Sequence, residues 1–260
     1  MSRPMMLAEM AWVGVHDYLQ NQHALFIPVG TCEQHGPHLP LGTDLIVADE
    51  LAKALSTQVH IPVAPPLSYG VNLESDYLVP GTAGVNLDCL RSTLRQVVAG
   101  WAAQGFNTFF VVTAHACSLG GSSFSHETAI REALTTCMQE TACSAYLLFP
   151  YWISCADILT HQSNAEHACE METSLMLYLR PDLVHLERIK EGTESEESEE
   201  MASSYAVMHH PPLREVPTPL SFEGFEGVPT VGTAEKGRLI FERWVKDLSA
   251  VVHEAISKRC

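Results

Sequence analysis

The sequence lacks long apolar segments and is poor in basic side chains. No run of about 18 apolar residues occurs in the 260-residue chain, so a membrane partner is not expected. Asp and Glu number 31 against 15 Lys and Arg, which gives a formal net charge of -16. Such a surface repels phosphate backbones, and no basic stripe with interleaved aromatic residues occurs, so nucleic-acid binding is not expected. The N-terminal segment has no apolar stretch long enough for a secretory signal, so the expected location is cytoplasmic.

The cysteines are scattered along the chain and form no Cys-x-x-Cys pair. A disulfide framework is not expected in a chain of this length without a secretory signal, and most of these cysteines are expected to be small buried apolar residues. The chain also lacks the Gly-x-Ser-x-Gly elbow of serine hydrolases. Cys117 lies too close to His115 along the chain to form a convincing nucleophile–base dyad.

Short β-rich apolar runs alternate with segments of helical period along the chain. Strands are predicted over 24–29, 61–64, 108–113 and 145–149. Helices are predicted over 44–56, 87–104, 122–140, 165–179 and 235–257. This order predicts an α/β fold, in which helices cover both faces of a mostly parallel sheet in three α/β/α layers. The length allows one large domain or two small ones, and the hydrophobic content of 46% indicates a globular core. We expect a single domain over 1–260.

An acidic segment follows the fourth predicted helix. Residues 190–203 are rich in Glu and Ser and poor in apolar side chains, so we expect a solvated, mobile loop there. A metal-binding acidic loop is the alternative. The region 209–229 that follows is rich in Pro and Gly, and we expect an irregular excursion that could close over a site or contact another subunit.

The most informative segment is the Gly- and Pro-rich loop after the first predicted strand. It carries Glu33, His35, His38 and Asp44. Carboxylates and imidazoles at the end of a buried strand are costly to desolvate unless something pairs with them, and a divalent metal is the simplest partner. Glu33 and His35 are two residues apart, so in an extended segment both point the same way. The alternative is an ordinary loop, in which Asp44 caps the next helix and Glu33 is solvated.

Two further segments place ionisable side chains near this loop. His115 follows the predicted strand 108–113, so it is expected at the same sheet edge as the loop; a hydrogen-bonded core histidine is the alternative. In 166–174, His167 and Glu172 would lie about 140° apart on a helix. Both therefore reach one site only if the helix begins between them or if the site wraps around its N-terminus. The alternative is an amphipathic helix whose acidic first turn favours its dipole.

Together these segments resemble the creatininase (creatinine amidohydrolase) family. The resemblance is carried by Pro28-Val-Gly-Thr-Cys-Glu-Gln-His-Gly-Pro-His-Leu-Pro-Leu-Gly-Thr-Asp44, by His167-Ala-Cys-Glu-Met-Glu-Thr-Ser174, and by Val79-Pro-Gly-Thr82 and Thr233-Ala-Glu-Lys-Gly237. It implies a creatininase-like α/β/α fold, hydrolysis of an amide C–N bond, and two divalent metal ions, which could be zinc, manganese or iron. The ligands that it implies are Glu33, His35, Asp44 as a bridge, His115 and Glu172. It also implies that His167 is the catalytic proton shuttle to the leaving nitrogen.

The chain departs from the family around the expected substrate pocket. Creatininase has a glutamate ligand at the position of Cys117, and a Trp-Asp pair that holds creatinine at the position of Ser163-Asn164. The segment 70–81 is one residue longer than usual and lacks an expected histidine. These differences argue against creatinine as the substrate and predict a reshaped pocket. The candidate substrate-binding residues are Tyr69, Glu74, Asp76 and Cys117.

The predicted activity is hydrolysis of a small cyclic amide or formamide by a metal-activated hydroxide. The alternative is a catalytically silent family member that serves as a metal-dependent binding or assembly subunit. A thiolate at Cys117 would favour zinc if it reached the metal, and a buried bystander thiol is the other interpretation. The expected partner is a small-molecule substrate, and family analogy implies a homo-oligomer, specifically a hexamer.

Overall fold

The computed structural model describes residues 3–73, 76–77, 79–117, 126–161, 167–190, 224–225 and 227–258. The predictions for all but the first residue of the acidic loop 190–203, for most of the region 209–229 and for Ser163-Asn164 therefore fall outside the described residues. Among the helices of the described part, none combines the length and the apolar character that a membrane crossing requires.

Three parallel strands form the centre of the fold. β1 (Ala24–Val29), β2 (Thr108–Thr113) and β3 (Ser144–Leu148) lie in the order β1–β2–β3. Phe26 pairs with Phe110 across the first ladder. Every residue of β1 and β2 is buried, as expected for parallel strands that are covered on both faces. The carboxyl ends of β1 and β2 therefore lie side by side.

Helices surround this sheet throughout the described part of the chain. The α-helices are α1 (Trp12–Tyr18), α2 (Thr43–Val59), α3 (Leu87–Ala102), α4 (His126–Thr141), α5 (Glu170–Leu179) and α6 (Ala234–Ser257). Short 3-10 turns cover Leu7–Glu9, Pro150–Trp152, Pro181–Leu183, Leu186–Arg188 and Pro229–Val231.

The two faces of the sheet pack against different helices. Phe26 and Phe110 point to a core that includes side chains of α2, α5 and α6. Leu25 and Phe109 point the other way, to a core that includes side chains of α3 and α4. Neighbouring strand residues alternate between the two cores because side chains along a strand have a period of two. The structure thus confirms the predicted three-layer α/β/α fold with a parallel sheet.

Several elements differ from the predictions. The strand predicted over 61–64 is reduced to isolated bridges such as Phe26–Val63, because Pro62 and the following Pro65-Pro66 have no N–H to donate to a ladder. The helix predicted over 165–179 begins only at Glu170. His167 consequently lies in the turn before α5. Helix α1 was not predicted.

Close backbone approach at two glycines positions the elements that carry the site. A side-chain carbon at Gly30, just after β1, would lie 2.5 Å from Cα of Leu45. The first turn of α2, which contains Asp44, can therefore lie directly against the end of β1. In the same way, a side-chain carbon at Gly237 of α6 would overlap the carbonyl group of Ser174 in α5.

Candidate metal centre

The five predicted metal ligands lie together at the carboxyl ends of β1 and β2. They fall into two groups, each with ligand atoms within 4.8 Å of one another: Glu33, Asp44 and His115 in the first, and His35, Asp44 and Glu172 in the second. All five side chains are buried. Asp44 belongs to both groups and therefore occupies a bridging position. The assignment of these residues as ligands stays a prediction.

His115 turns its Nδ1 atom toward the carboxylates. Its Nε2 atom is 2.7 Å from the carbonyl oxygen of Val71, and because a carbonyl only accepts, the network assigns the hydrogen to Nε2. Nδ1 lies 3.2 Å from Oε2 of Glu33 and 3.1 Å from Oδ2 of Asp44. A neutral imidazole in this orientation presents its lone pair to two carboxylate oxygens, and a cation between them would stabilise that arrangement.

His35 is oriented the other way round. Its Nδ1 atom lies 3.1 Å from the carbonyl oxygen of Glu33, while Nε2 lies 3.3 Å from Oδ1 of Asp44 and 3.6 Å from Oε2 of Glu172. The buried atoms Nε2 of His35 and Oδ2 of Asp44 form no hydrogen bond of good geometry with the described residues. A buried imidazole nitrogen and a buried carboxylate oxygen that lack such bonds are suitable ligands for a divalent ion such as zinc or manganese.

Glu172 is held in place by two donors outside these groups. The Tyr151 hydroxyl donates to Oε1 at 2.8 Å, and the Ala168 N–H donates to Oε2 at 2.6 Å. Glu172 thus reaches back from the first turn of α5 to the backbone that precedes the helix, much as in a capping box. Ala168 has a φ of 50°, a left-handed conformation that costs an alanine about 1–2 kcal/mol. Because α5 begins between His167 and Glu172, both can face one site.

The electrostatics of the cluster favour positive charge at its centre. Burial raises the pKa of Glu33 and of Glu172 above the ordinary range. Burial alone would lower the pKa of His35, but the facing carboxylates of Asp44 and Glu172 outweigh it and raise the pKa to about 10. Burial likewise opposes ionisation of Asp44, yet the imidazoles of His35 and His115 lower its pKa. Buried carboxylates and imidazoles in this arrangement attract either protons or metal ions.

His167 lies beside the second group. Its ring centroid is 4.5 Å from that of His35, and its ligand atom also lies within 4.8 Å of those of Glu33 and His35. Burial, and then the charge of His35, lower the pKa of His167. An imidazole that is neutral at pH 7 can accept a proton and pass it on. The role of His167 as the proton shuttle stays a prediction, and its position also allows metal ligation.

Gln34 fixes the imidazole of His167. Its Oε1 atom accepts the Gly36 N–H at 3.0 Å, which sets the orientation of the amide. Its Nε2 atom then donates to Nε2 of His167 at 2.9 Å and to Oδ1 of Asp76 at 3.2 Å. The second oxygen of Asp76 accepts the Leu73 N–H at 3.1 Å. Asp76, a predicted substrate-binding residue, is therefore a buried partner of Gln34.

The other predicted substrate-binding residues have different surroundings. Cys117 is buried beside His115, and burial raises the pKa of its thiol. It belongs to none of the ligand groups found among the described residues, which favours the bystander interpretation. Tyr69 is 57% exposed. Glu74 lies outside the described residues.

Three polar residues around the cluster were missed by the sequence-based predictions: Gln34, Tyr151 and His126. Gln34 lies between two predicted ligands, so its position in the motif was an available signal. Tyr151 follows β3, so the strand-end rule that located His115 could also have located Tyr151. No spacing pattern connects His126 with the residues that it contacts.

Comparisons with known proteins identify a family. The Creatininase family model, described as creatinine amidohydrolase, matches residues 8–252. The mycofactocin precursor peptide peptidase of Mycobacterium ulcerans (strain Agy99) is 29% identical over 86% of this chain and 82% of that protein. The creatinine amidohydrolase of Pseudomonas putida is 25% identical over 98% of each chain.

Solved structures share the fold. A crystal structure of creatinine amidohydrolase (creatininase) superposes with a TM-score of 0.77 at 20% identity, covering 98% of each chain. A second structure, described as creatininase Mn, has a TM-score of 0.76 at 21% identity and covers 97% of this chain and 99% of that chain. At these identities the likeness establishes the fold.

Proposed function

The chain belongs to the creatininase family, and from this premise we propose that it is an amidohydrolase that holds two divalent metal ions and cleaves the C–N bond of a small cyclic amide or formamide. The observation that carries the proposal is the pair of ligand groups that share Asp44. One shared carboxylate between two sets of buried donors is the arrangement that a two-ion centre needs.

In this proposal, Glu33 and His115 would hold one ion, His35 and Glu172 would hold the other, and Asp44 would be shared by both. The bound ions would activate water and polarise the carbonyl of the substrate. The chain's own residues then orient the reaction. Tyr151 fixes Glu172, and Gln34 fixes His167 beside the cluster. His167 would accept the proton of the attacking water at Nε2, where it gives up the hydrogen bond from Gln34, and would deliver it to the departing nitrogen.

The departures from creatininase in the sequence support a substrate other than creatinine. Cys117 stands where creatininase has a glutamate ligand, and Ser163-Asn164 stand where it has the creatinine-holding pair.

A peptide is the second candidate substrate, because the relative from Mycobacterium ulcerans is named as a peptide peptidase. A peptide bond is also an amide C–N bond, so the same groups could serve either substrate.

The decisive test replaces the shared carboxylate. Asp44→Asn removes one negative charge from both groups while it preserves the size of the side chain. We expect the variant to lose metal and activity together, with both ions measured by elemental analysis of the purified protein. Asp49→Asn is the matched control, because Asp49 lies on the same helix, pairs with Lys53 and belongs to neither ligand group. Full metal content in Asp44→Asn would overturn the two-ion assignment.

A substrate screen separates catalysis from the silent alternative. The metal-loaded protein is incubated with lactams, other cyclic amides, formamides and short peptides. Formation of a new primary or secondary amine is measured. We expect turnover of at least one class, and its loss in Asp44→Asn. Stoichiometric metal without turnover of any class would instead favour a metal-dependent binding or assembly subunit.

A further inference from the structure

His126 is a buried histidine that the proposed chemistry does not use. It is 0% exposed, and its imidazole lies edge-to-face against that of His115, with ring centroids 4.7 Å apart at 79°. A satisfied core histidine is the plain interpretation of such a residue. Its two hydrogen bonds give it a more specific role.

Both ring nitrogens of His126 have defined partners. The Val71 N–H donates to Nδ1 at 3.2 Å, and because a backbone N–H only donates, Nδ1 carries no hydrogen. Nε2 therefore carries the hydrogen and donates to Oγ1 of Thr113 at 3.3 Å. Thr113 is the last residue of β2, two positions before His115. His126 thus connects the end of β2 to the Val71 peptide group.

The Val71 residue also sets the orientation of His115. Its N–H is held by His126, and its carbonyl oxygen accepts Nε2–H of His115 at 2.7 Å. The backbone beside it has little freedom, since a side-chain carbon at Gly70 would lie 2.6 Å from Cε1 of His126 and 2.9 Å from the carbonyl oxygen of Gly30. The His126 ring therefore helps to hold the Val71 peptide group, together with the hydrogen bonds that Gly70 makes to Thr31 and Val85.

We propose that His126 is a positioning residue that acts through Val71 to keep the Nδ1 atom of His115 aimed at Glu33 and Asp44. This inference rests on the proposed metal centre. Hydrogen-bond partners of a ligating histidine commonly change metal affinity by about 10- to 100-fold when they are lost. Because His126 acts one step further out, we expect the lower end of that range.

The test uses His126→Phe, which keeps a ring in place and removes both polar nitrogens. Zinc affinity is measured by competition with a chromophoric chelator. Nitrogen NMR of labelled histidines reports which atom of His115 and of His35 binds the ion. We expect the zinc affinity of the site at His115 to fall about 10-fold. The zinc affinity of the site at His35 should change by less than about threefold.

Two further variants keep the result specific. His126→Asn restores an oxygen acceptor near the Nδ1 position and should recover most of the affinity at His115. Tyr151→Phe removes the donor to Glu172 and should instead lower the zinc affinity of the site at His35. General loosening of the fold would lower the zinc affinity of both sites in both variants. Loss of affinity at His115 alone in His126→Phe, and at His35 alone in Tyr151→Phe, would therefore indicate positioning.

The outcomes separate this inference from the proposed function. If the wild-type protein binds no zinc and its histidine signals do not respond, the metal centre itself is wrong. If the wild-type protein binds two ions and a folded His126→Phe binds both equally well, only the positioning role is overturned. Should His126→Phe fail to fold, Thr113→Val decides, because it removes the acceptor for His126 alone. Unchanged zinc affinity at His115 in Thr113→Val would then overturn the role.

Discussion

At the scale of single residues, the two histidines of the cluster face inward with different nitrogens. His115 presents Nδ1 because its Nε2 atom is bonded to the Val71 carbonyl. His35 presents Nε2 because its Nδ1 atom is bonded to the carbonyl of Glu33. Since both acceptors are backbone groups, the inward atom of each imidazole is set by the chain path.

This difference predicts that Asn and Gln substitutions have opposite effects on zinc affinity at the two histidines. The side-chain oxygen of Asn falls near the position of Nδ1, and that of Gln falls near the position of Nε2. His115→Asn should therefore bind zinc more tightly than His115→Gln, and His35→Gln more tightly than His35→Asn. We expect each difference to be about tenfold, or ~1.4 kcal/mol, in a chelator-competition titration. Equal affinities within each pair would contradict the assigned ring orientations.

At the scale of the element, α5 carries Glu172 into the site and is anchored by a different carboxylate. Glu170 is 0% exposed. It accepts hydrogen bonds from the N–H groups of Thr160 and His161 and from the Lys236 ammonium. Lys236 belongs to the first turns of α6, so this ion pair fixes the start of α5 against α6.

Removal of the ammonium should destabilise the protein strongly. Lys236→Met leaves the buried Glu170 carboxylate without its cation, and we expect a loss of about 3 kcal/mol in the free energy of unfolding. Lys258→Met is the control, since its exposed pair with Glu254 should contribute less than about 1 kcal/mol. Urea unfolding at pH 7 measures both. A loss below about 1 kcal/mol in Lys236→Met would show that the hydrogen bonds from the backbone suffice.

The same pair predicts how stability depends on pH. Burial opposes ionisation of Glu170, but the bonds from Lys236, His161 and Thr160 lower its pKa from 4.5 to about 2. A carboxyl with a depressed pKa in the folded state stabilises the protein above pH 4.5, and this contribution is lost as the pH falls toward 2. Lys236→Met should flatten this part of the stability profile. An unchanged profile would exclude the pair as its source.

The contact between α5 and α6 predicts a sharp difference between two glycines. Gly237→Ala would place a methyl group against the Ser174 backbone, which cannot give way without moving α5, and we expect a loss of about 3 kcal/mol. Gly100→Ala in α3 meets no atom within 4 Å and should instead stabilise the helix by about 0.5–1 kcal/mol. Thermal unfolding of the two variants gives the comparison, and equal effects would contradict the close approach.

At the scale of the whole molecule, bound ions should contribute to global stability because the unfolded chain does not hold the ligands together. At a free metal concentration about 1,000 times Kd each ion stabilises the fold by ~4 kcal/mol, and two ions stabilise it by ~8 kcal/mol. For a chain of this size that corresponds to a shift in Tm of roughly 20 °C. Chelation should lower the Tm of the wild-type protein by this amount and leave the Tm of Asp44→Asn unchanged. A metal-containing wild-type protein whose Tm ignores the chelator would contradict this expectation.

Much of the fold was predictable because it depends on local patterns. Alternating strands and helices gave the parallel sheet, and the strand-end rule brought Glu33 and His115 to one edge. The start of α5 at Glu170 was not predictable in the same way. It depends on Glu172 reaching the Ala168 N–H and on Lys236 from α6, and such tertiary contacts leave no periodic signal.

The hydrogen-bond partners of the proposed ligands were harder to predict than the proximity of the proposed ligands to one another. Glu33, His35 and Asp44 share one short motif, so their proximity could be inferred. His126 and Tyr151 act on groups that lie far from them along the chain, and Val71 acts through its backbone alone. Side-chain patterns carry no record of a peptide carbonyl that serves as an acceptor.

The two ligand groups draw on segments that the ribosome makes at very different times. The loop that carries Glu33 and Asp44 emerges early, His115 emerges much later, and Glu172 is later still. A nascent chain therefore presents Glu33 and Asp44 before either group can be completed. The two ions that we propose could therefore bind together only after Glu172 has been synthesised and α5 has folded against the loop.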